Sequence, residues 1–515
     1  MSDILLTRFW FIFVIAAVIT PLCVPSARAE KTIISLDDFK VAGSITMGGA
    51  AFHLPNTNFG AGSYALRNDG QYSHRSSVTY AEFFGKPSLS AYWNTPWRFG
   101  IFGSVSAVGS ATLGDGDAEI LSQTSGGPTA VTLEDANGGL SIPLAINGGH
   151  QTLIVEGGRQ RFQIDDGFLI GKGTYSTGDL GSWWYAPRYA FSGPGTIRFE
   201  GENLRFDAFL LQSASNADVS RGFSRPQTDF VGFDITLFQN RENGHGGSIY
   251  EDRESYLTLS YFNVIKSDMS NQYDYSSRAD RNGMNVAAIS FGGSILHTID
   301  TNISKDFTLY GNFVSQQNSH PGNGYKAVNA YGLYIEPGYT FSKLPWEPHI
   351  FYRYMRLSGD KSEKSSVKNG YDTFFLYNGR RFTYGGYWPG EIVGLYLAPL
   401  SNLVVNQIDV SLTYPLHLTG VEDALRFGVH LYDLAMIHPT GMGLPPKTSR
   451  KISDEVDFSA EYKLNSAISG AITGGVAFAA PAGKALALSS IPSGQKAPHI
   501  GNTSGVIEMF FFNSF

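Results

Sequence analysis

The longest alternation of apolar and polar side chains in the sequence covers residues 97–113, WRFGIFGSVSAVGSATL. The odd-numbered positions are mainly large or aliphatic, whereas most even-numbered positions carry Ser, Thr, Gly or Arg. A period of two over this length predicts a tilted strand with one face in lipid and the other in water. The run ends at Gly114-Asp115-Gly116-Asp117, a turn sequence.

A β-hairpin is predicted where two alternating segments flank a short polar turn. Residues 196–200 and 204–213 are separated by Gly201-Glu202-Asn203. Apolar residues alternate with charged residues on each arm, which again indicates a strand between lipid and water.

Shorter segments of the same period predict further strands. Residues 331–341 and 349–357 are joined by a short turn that contains two prolines, and long Gly-, Ser- and Asn-rich stretches separate many of the others. Short turns that alternate with long loops are typical of transmembrane barrels. The remaining predicted strands are 229–238, 256–265, 285–296, 307–315, 391–398, 406–414, 424–434, 456–464, 468–478 and 505–515.

No apolar run after residue 29 is long enough to cross a bilayer as a helix, which needs roughly 20 residues. A closed barrel is the other architecture that pairs every backbone group in lipid. The 36 Phe, 27 Tyr and 59 Gly suit interfacial aromatic girdles and strand packing. We therefore expect an all-β fold: a transmembrane antiparallel up-and-down barrel of about 18 strands (16–18), wide enough for an aqueous channel.

Both ends of the sequence favour export to the outer membrane of a Gram-negative cell. An apolar run at residues 9–23 precedes Ala27-Arg28-Ala29, which predicts an N-terminal signal peptide, residues 1–29, that is cleaved before Glu30. Residues 30–515 then form one barrel domain without cysteine. The last strand ends at Phe515, a terminal aromatic residue of the kind that the barrel-insertion machinery reads.

Charge and motifs exclude several classes of function. The formal net charge of −7 argues against nucleic acid as a partner. No HExxH motif or phosphate-binding loop occurs, and we expect no cofactor, no metal site and no enzyme. His245 and His320 have no recognisable nucleophile partner. Asp115, Asp117 and Glu119 offer carboxylates for a hard cation, but a solvated turn is the expectation.

Cationic side chains are the candidates for solute binding in the pore. A charge on the lipid face costs about 2–4 kcal/mol near mid-bilayer, so strand arginines are expected to face the lumen or the rim. Arg353 and Arg356 differ in parity, so at least one of them is expected at the rim. Arg159, Arg161 and Gln163 are expected to share one face of a strand. Arginine suits carboxylates because its planar guanidinium binds them through two donors, although these residues could instead form ordinary ion pairs. The candidate pore-lining residues are Arg98, Arg159, Arg161, Arg198, Arg205, Arg353, Arg380 and Arg381.

Three short motifs resemble the alginate-export family of outer-membrane porins. They are Glu156-Gly157-Gly158-Arg159-Gln160-Arg161-Phe162, Gly385-Gly386-Tyr387-Trp388-Pro389-Gly390-Glu391 and Asp454-Glu455-Val456-Asp457. The resemblance implies an 18-stranded monomeric barrel whose Arg-rich constriction conducts an acidic polysaccharide. It also implies that Arg159, together with Arg161, lines the pore.

These observations leave three functional hypotheses. The leading one is passive, selective diffusion or export of an anionic (poly)saccharide. The alternative is a general or substrate-specific porin for small nutrients, and the third is a barrel enzyme or surface adhesin. The expected partners are outer-membrane lipid, the barrel-insertion machinery, a hydrophilic solute and periplasmic export proteins.

Overall fold

The computed structural model describes residues 31–66, 69–145, 151–175, 178–215, 226–240, 253–267, 281–319, 326–362, 364–373, 389–416, 423–465 and 467–514. Within these residues, eighteen antiparallel strands form one closed barrel. They are β1 (Phe39–Leu54), β2 (Val78–Asn94), β3 (Gly100–Gly114), β4 (Thr129–Leu144), β5 (Gln151–Arg159), β6 (Pro194–Glu200), β7 (Leu204–Ser215), β8 (Pro226–Asn240), β9 (Arg253–Ser267), β10 (Asn285–Gly293), β11 (Phe307–Asn318), β12 (Ala327–Thr340), β13 (His349–Leu357), β14 (Leu403–Pro415), β15 (Ala424–Met436), β16 (Lys451–Lys463), β17 (Ile468–Ala479) and β18 (Thr503–Ser514).

The barrel closes between its first and last strands. β1 pairs with β18 from Thr46 opposite Ser514 to His53 opposite Ile507, and its other edge pairs with β2. Because the sheet closes on itself, each wall strand pairs with a neighbour on both sides. The predicted all-β barrel and its strand number are confirmed.

The period of two separates lipid-facing from lumen-facing side chains. On β3, Ile101, Val105 and Leu113 are exposed on the outer surface, whereas Ser110 and Thr112 are buried on the inner face. The predicted faces of this strand are therefore correct. Its predicted start is wrong, because residues 95–99 form a turn in which Arg98 has a φ of 65°.

Two further predictions are corrected. Residues 391–398 do not form a strand but a loop with one short helix, α3 (Val393–Tyr396). Strands β1, β2 and β4 were not predicted from the sequence. Their alternation is interrupted by Gly48-Gly49, by Pro87 and by Gly138-Gly139 respectively.

Smaller elements lie at the two ends of the barrel. Lys31–Ser35 pairs with the start of β1, and a separate hairpin consists of Ser63–Leu66 and Tyr72–Arg75. The other pieces are the short strands Thr174–Tyr175 and Val367–Lys368, the helices α1 (Leu121–Thr124), α2 (Ile295–Ile299) and α4 (Pro481–Ser489), and the 3₁₀ turns Thr57–Gly60 and Pro439–Met442. Within the described residues, no helix has the length and apolar character needed to cross a membrane.

Connections differ in length between the two barrel ends. Turns 95–99, 201–203, 341–348 and 464–467 lie at the end that carries the start of β1, and loops 55–77, 115–128, 160–193, 358–402 and 480–502 lie at the other. The described residues of two of these long loops, 160–193 and 358–402, fold into the lumen. The buried aromatic core therefore lies inside the barrel, between loop and wall.

Candidate solute pathway

Loop 160–193 enters the lumen directly from the end of β5. Gly158 has a φ of 105°, and a Cβ atom there would lie 2.4 Å from the carbonyl oxygen of Ala136. A glycine is therefore required where the chain bends inward. Gln160 and Phe191 exchange two backbone hydrogen bonds, which close the base of the loop. The strand ends at Arg159, so the predicted strand face shared by Arg159, Arg161 and Gln163 does not form.

The tip of this loop crosses the lumen to the distant wall. Asp165 accepts hydrogen bonds from Thr258 on β9, at 2.8 Å, and from Ser290 on β10. The next carboxylate, that of Asp166, accepts the hydroxyl of Tyr334 on β12. These buried, charge-assisted hydrogen bonds fix the loop across the barrel interior.

The return limb of the loop follows the near wall. The hydroxyl of Tyr185 lies 2.9 Å from the carbonyl oxygens of Gly49 on β1 and Phe511 on β18. Arg188 donates to Thr132 and Ser110, each at 2.8 Å. Loop 160–193 is thereby tied to both sides of the lumen and narrows the passage.

Loop 358–402 narrows the passage from the other side. Arg281 binds Asp372 with two donors, and the Nη2–Oδ1 distance is 2.6 Å. The ring of Tyr371 stacks 6.2 Å from that of Phe168 in the first loop. The two loops thus contact each other inside the barrel.

Five cationic side chains gather where loop 160–193 meets strands β2 to β5. Lys86 lies 2.6 Å from Asp135, and Arg159 Nη2 lies 3.7 Å from Glu134 Oε2. The guanidinium of Arg161 lies 4.8 Å from the ring centre of Tyr189, and its side chain is exposed. Arg161 has no carboxylate within ion-pair distance in the described part of the chain. We call this set the cation cluster: Lys86, Arg159, Arg161, Lys172 and Arg188.

Carboxylates occupy the adjacent stretch of wall, from β16 through β18 to β2, and the loop that follows β3. Glu455 accepts the backbone N–H groups of Ile392 and Val393 at 2.8 and 2.9 Å. Asp117 accepts the hydroxyl of Tyr80 at 2.7 Å. Five carboxylates in this region are buried, and none of them forms an ion pair with a Lys or Arg among the described residues. They are Glu82, Asp117, Glu455, Asp457 and Glu508. The two sets of charges are neighbours along the wall, since Glu82 and Lys86 both belong to β2.

Burial shifts the titration of the loop residues. It raises the pKa of Asp117 to about 6, and it raises the pKa of Glu119 to about 8, with a further contribution from the Asp117 charge. Burial also lowers the pKa of Lys172 to about 8, against the attraction of Glu134. Each shift follows from the cost of holding a charge away from bulk water.

The other candidate arginines have varied locations. Arg198 and Arg205 lie on the lumen face of β6 and β7 and both bind Asp207, Arg198 at 2.6 Å. Arg353 on β13 donates to Glu336 at 2.5 Å and to Gln407 at 2.8 Å. Arg98 lies in the β2–β3 turn, outside the strand face on which it was predicted. Arg380 and Arg381 lie outside the described residues, as do His245, His320 and the predicted signal peptide.

Sequence reasoning missed four cations that lie in or near the lumen loops: Lys86, Lys172, Arg188 and Arg281. Lys86 is adjacent to Pro87 in a strand whose alternation is broken, and the other three lie in loops, where period-two patterns give no orientation. Nothing in the sequence places Lys172 beside Arg188.

The predicted solvated turn around Asp115 is only partly correct. Asp117 is fully buried, and Glu119 accepts a hydrogen bond from Trp183 Nε1 at 3.2 Å because loop 160–193 covers this turn. No group of three or more His, Cys, Asp or Glu side chains in the described ranges is arranged to hold a metal ion.

No protein-family model matches the sequence, and no curated protein matches it. The structure is similar to that of the outer membrane protein OpdK from Pseudomonas aeruginosa, with a TM-score of 0.50 and 10% identity over 93% of this chain and 98% of OpdK. The structure of OccK9 (OpdG) from the same organism has a TM-score of 0.48 and 11% identity, over 92% of this chain and 97% of OccK9. The structure of OccAB3 from Acinetobacter baumannii has a TM-score of 0.47 and 12% identity, over 92% of this chain and 99% of OccAB3. The likeness to OpdK shows a shared barrel fold, while the alginate-export resemblance stays a prediction.

Proposed function

We propose that this chain is an outer-membrane channel through which small hydrophilic solutes, with a preference for anions, diffuse passively. The observation that carries the proposal is Arg161, which is exposed, stacked on Tyr189 and without a carboxylate partner among the described residues. An unpaired guanidinium in a narrowed lumen attracts carboxylates and accepts them through two donors.

The neighbouring charges support the same preference. Glu134 accepts the backbone N–H groups of Tyr189 and Ala190 at 2.7 and 3.1 Å, and Asp135 is bound by Lys86 and Ser106. These two carboxylates are occupied by protein donors. Passing solute would therefore meet the free guanidinium of Arg161 rather than a neutralised ion pair.

The preferred solute is a small molecule that carries a carboxylate, such as a single uronic acid unit. Loops 160–193 and 358–402 contact each other inside the barrel, which leaves less width for a polymer than the wall alone would. The aromatic ring of Tyr189 beside Arg161 suits the apolar face of a sugar ring. Export of a whole acidic polysaccharide is the less favoured form of this proposal.

A general porin is the second candidate, and a specific observation favours it. Arg198, Arg205 and Arg353 each bind a carboxylate, so these arginines add little net field to the lumen. In a general porin, the cation cluster would tune ion selectivity without binding any solute.

The proposal includes a location and a maturation step. Residues 1–29 would be removed as a signal peptide, and residues 30–515 would be inserted into the outer membrane as one barrel by the insertion machinery. Cell fractionation with N-terminal sequencing of the mature protein tests both points.

Current-block measurements on single channels distinguish the two candidates. Glucuronate added to the long-loop side should interrupt the current of the wild-type channel and do so less in Arg161→Gln. Alginate oligomers should block without being transported. Equal, weak block by glucuronate in both proteins would leave the general porin as the function.

A further inference from the structure

A cavity lies at the long-loop mouth of the barrel, apart from the cation cluster. Its volume is about 270 Å³, and loops 55–77, 115–128, 358–402 and 480–502 all contribute to it. Tyr64, Tyr72 and Glu119 supply polar groups, while Leu395, Leu397, Pro399 and Pro492 supply apolar surface. Apolar walls with a few polar groups are characteristic of small-molecule sites.

The hairpin of residues 63–75 gives this cavity its aromatic wall. Tyr64 is opposite His74, and Leu66 is opposite Tyr72. Because residues two apart on a strand point to the same face, Tyr64, Tyr72 and His74 share one face of the hairpin. The rings of Tyr64 and Tyr72 lie 6.4 Å apart, and that of His74 lies 4.8 Å from Tyr64. The tyrosine rings are thus positioned beside each other before any ligand arrives.

The hairpin is held in place by contacts that do not use these tyrosine side chains. Ser63 Oγ donates to the carbonyl of Ala118 at 2.7 Å, and Leu66 N donates to Ser122 Oγ at 2.8 Å. Gly62 has a φ of 76°, and a Cβ atom there would meet His74 Nε2 at 2.3 Å. Substitution of Tyr64 or Tyr72 should therefore leave the hairpin attached.

The charge of the lining argues for an uncharged ligand. No Lys, Arg or His side chain is among the described residues that line the cavity, and Glu119 is its one carboxylate. Glu119 already accepts the Trp183 indole N–H at 3.2 Å and is attracted by Lys172. Its burial favours the protonated carboxyl, which both donates and accepts hydrogen bonds, over a free anion that would hold an ammonium group.

We infer that this mouth cavity binds a neutral sugar ring, with Tyr64 and Tyr72 against the ring face and Glu119 on its hydroxyls. Passage of anions beside the cation cluster does not require a ligand at this site. The cavity would hold an uncharged pyranose, or the sugar portion of a glycoconjugate, at the long-loop mouth.

Saturation-transfer NMR on the full-length protein in detergent micelles tests the inference, with methyl α-D-glucopyranoside as the probe. The wild-type protein should transfer saturation to the ring protons of the probe in a saturable manner. Affinity should fall about tenfold or more in Tyr64→Ala and Tyr72→Ala, and about two- to threefold in Tyr64→Phe, which keeps the ring. Tyr414→Ala, which removes an exposed tyrosine at the opposite barrel end, is the matched control.

Heat-modifiable migration on gels shows whether each variant is a folded barrel before binding is measured. Three results would overturn the inference: no saturable binding to the folded wild type, binding that Tyr64→Ala and Tyr72→Ala leave unchanged, or tighter binding of benzyltrimethylammonium than of the sugar. Because binding is measured without current, failure here is distinguishable from failure of the proposed anion channel.

Discussion

Arg159 and Glu134 face each other across neighbouring strands inside the lumen, with Nη2 and Oε2 3.7 Å apart. Glu134 Oε1 meanwhile accepts the backbone N–H groups of Tyr189 and Ala190. One carboxylate therefore binds both the wall arginine and the return limb of loop 160–193. This shared contact holds the loop beside Arg161 and fixes where the lumen is narrow.

Glu134→Gln tests whether this contact positions the loop. The variant loses the charge that Arg159 and Arg188 face, while its amide oxygen can still accept the two N–H groups. We expect a stronger preference for chloride with little change in current noise. Glu134→Ala also removes the acceptor, and we expect it to increase current noise because the return limb is released. Planar-bilayer recordings measure both quantities, and identical noise in the two variants would contradict this role.

The pH dependence of selectivity follows from two loop groups. Below pH about 8 Glu119 holds its proton and Lys172 is a cation, whereas above it Glu119 is a carboxylate and Lys172 is neutral. As the pH rises, each group loses one proton and lowers the net charge of the lumen by one. We expect the chloride-to-potassium permeability ratio to fall between pH 7 and pH 9, and to fall less in Glu119→Gln/Lys172→Gln.

Reversal potentials across a salt gradient at the two pH values measure this change. A ratio that rises with pH, or one that falls equally in the double variant, would show that other groups set the charge of the lumen.

The two lumen loops should separate when their buried anchor is broken. Arg281→Met leaves Asp372 buried without its cationic partner, which costs about 3–5 kcal/mol for a buried pair. We expect higher conductance and more frequent current steps, because segment 371–373 is freed from the wall. Arg75→Met removes a cation whose nearest carboxylate, Asp115, lies 3.7 Å away at an exposed site, and it is the matched control.

Glycine at position 475 gives space to a lumen carboxylate. A Cβ atom there would lie 1.9 Å from Asp457 Oδ1, whereas a Cβ atom at Gly85 would meet nothing within 4 Å. Gly475→Ala is therefore expected to lower the stability of the folded barrel by about 1–3 kcal/mol, and Gly85→Ala to leave it near that of the wild type. The temperature at which the folded band disappears on gels measures the difference, and equal temperatures would refute it.

The barrel wall could be predicted from sequence because lipid and water impose a period of two on each strand. The prediction failed where that period was broken: Gly48-Gly49 interrupts β1, Pro87 interrupts β2 and Gly138-Gly139 interrupts β4. Residues 391–398 were misread as a strand because the run from Ile392 to Ala398 has no charged residue and is mainly apolar. A local pattern cannot reveal that Glu455, far along the chain, binds the backbone N–H groups of Ile392 and Val393 and holds this segment as a loop.

The candidate site was harder to predict than the wall. Arg159 and Arg161 were named from sequence, but their surroundings depend on a loop that reaches Thr258 and Tyr334. No short-range pattern encodes contacts between residues so distant in the chain. For the same reason Lys172 and Arg188 gave no signal, since loop residues carry no periodicity that fixes their direction.

The anion preference of the lumen is tested most directly by the reversal potential of the purified channel in a tenfold KCl gradient at pH 7. We expect chloride to be more permeant than potassium in the wild type. Arg161→Gln should lower the permeability ratio by about twofold because it removes the one exposed, unpaired charge of the cation cluster. A potassium-selective wild-type channel, unchanged by Arg161→Gln, would contradict the proposed function.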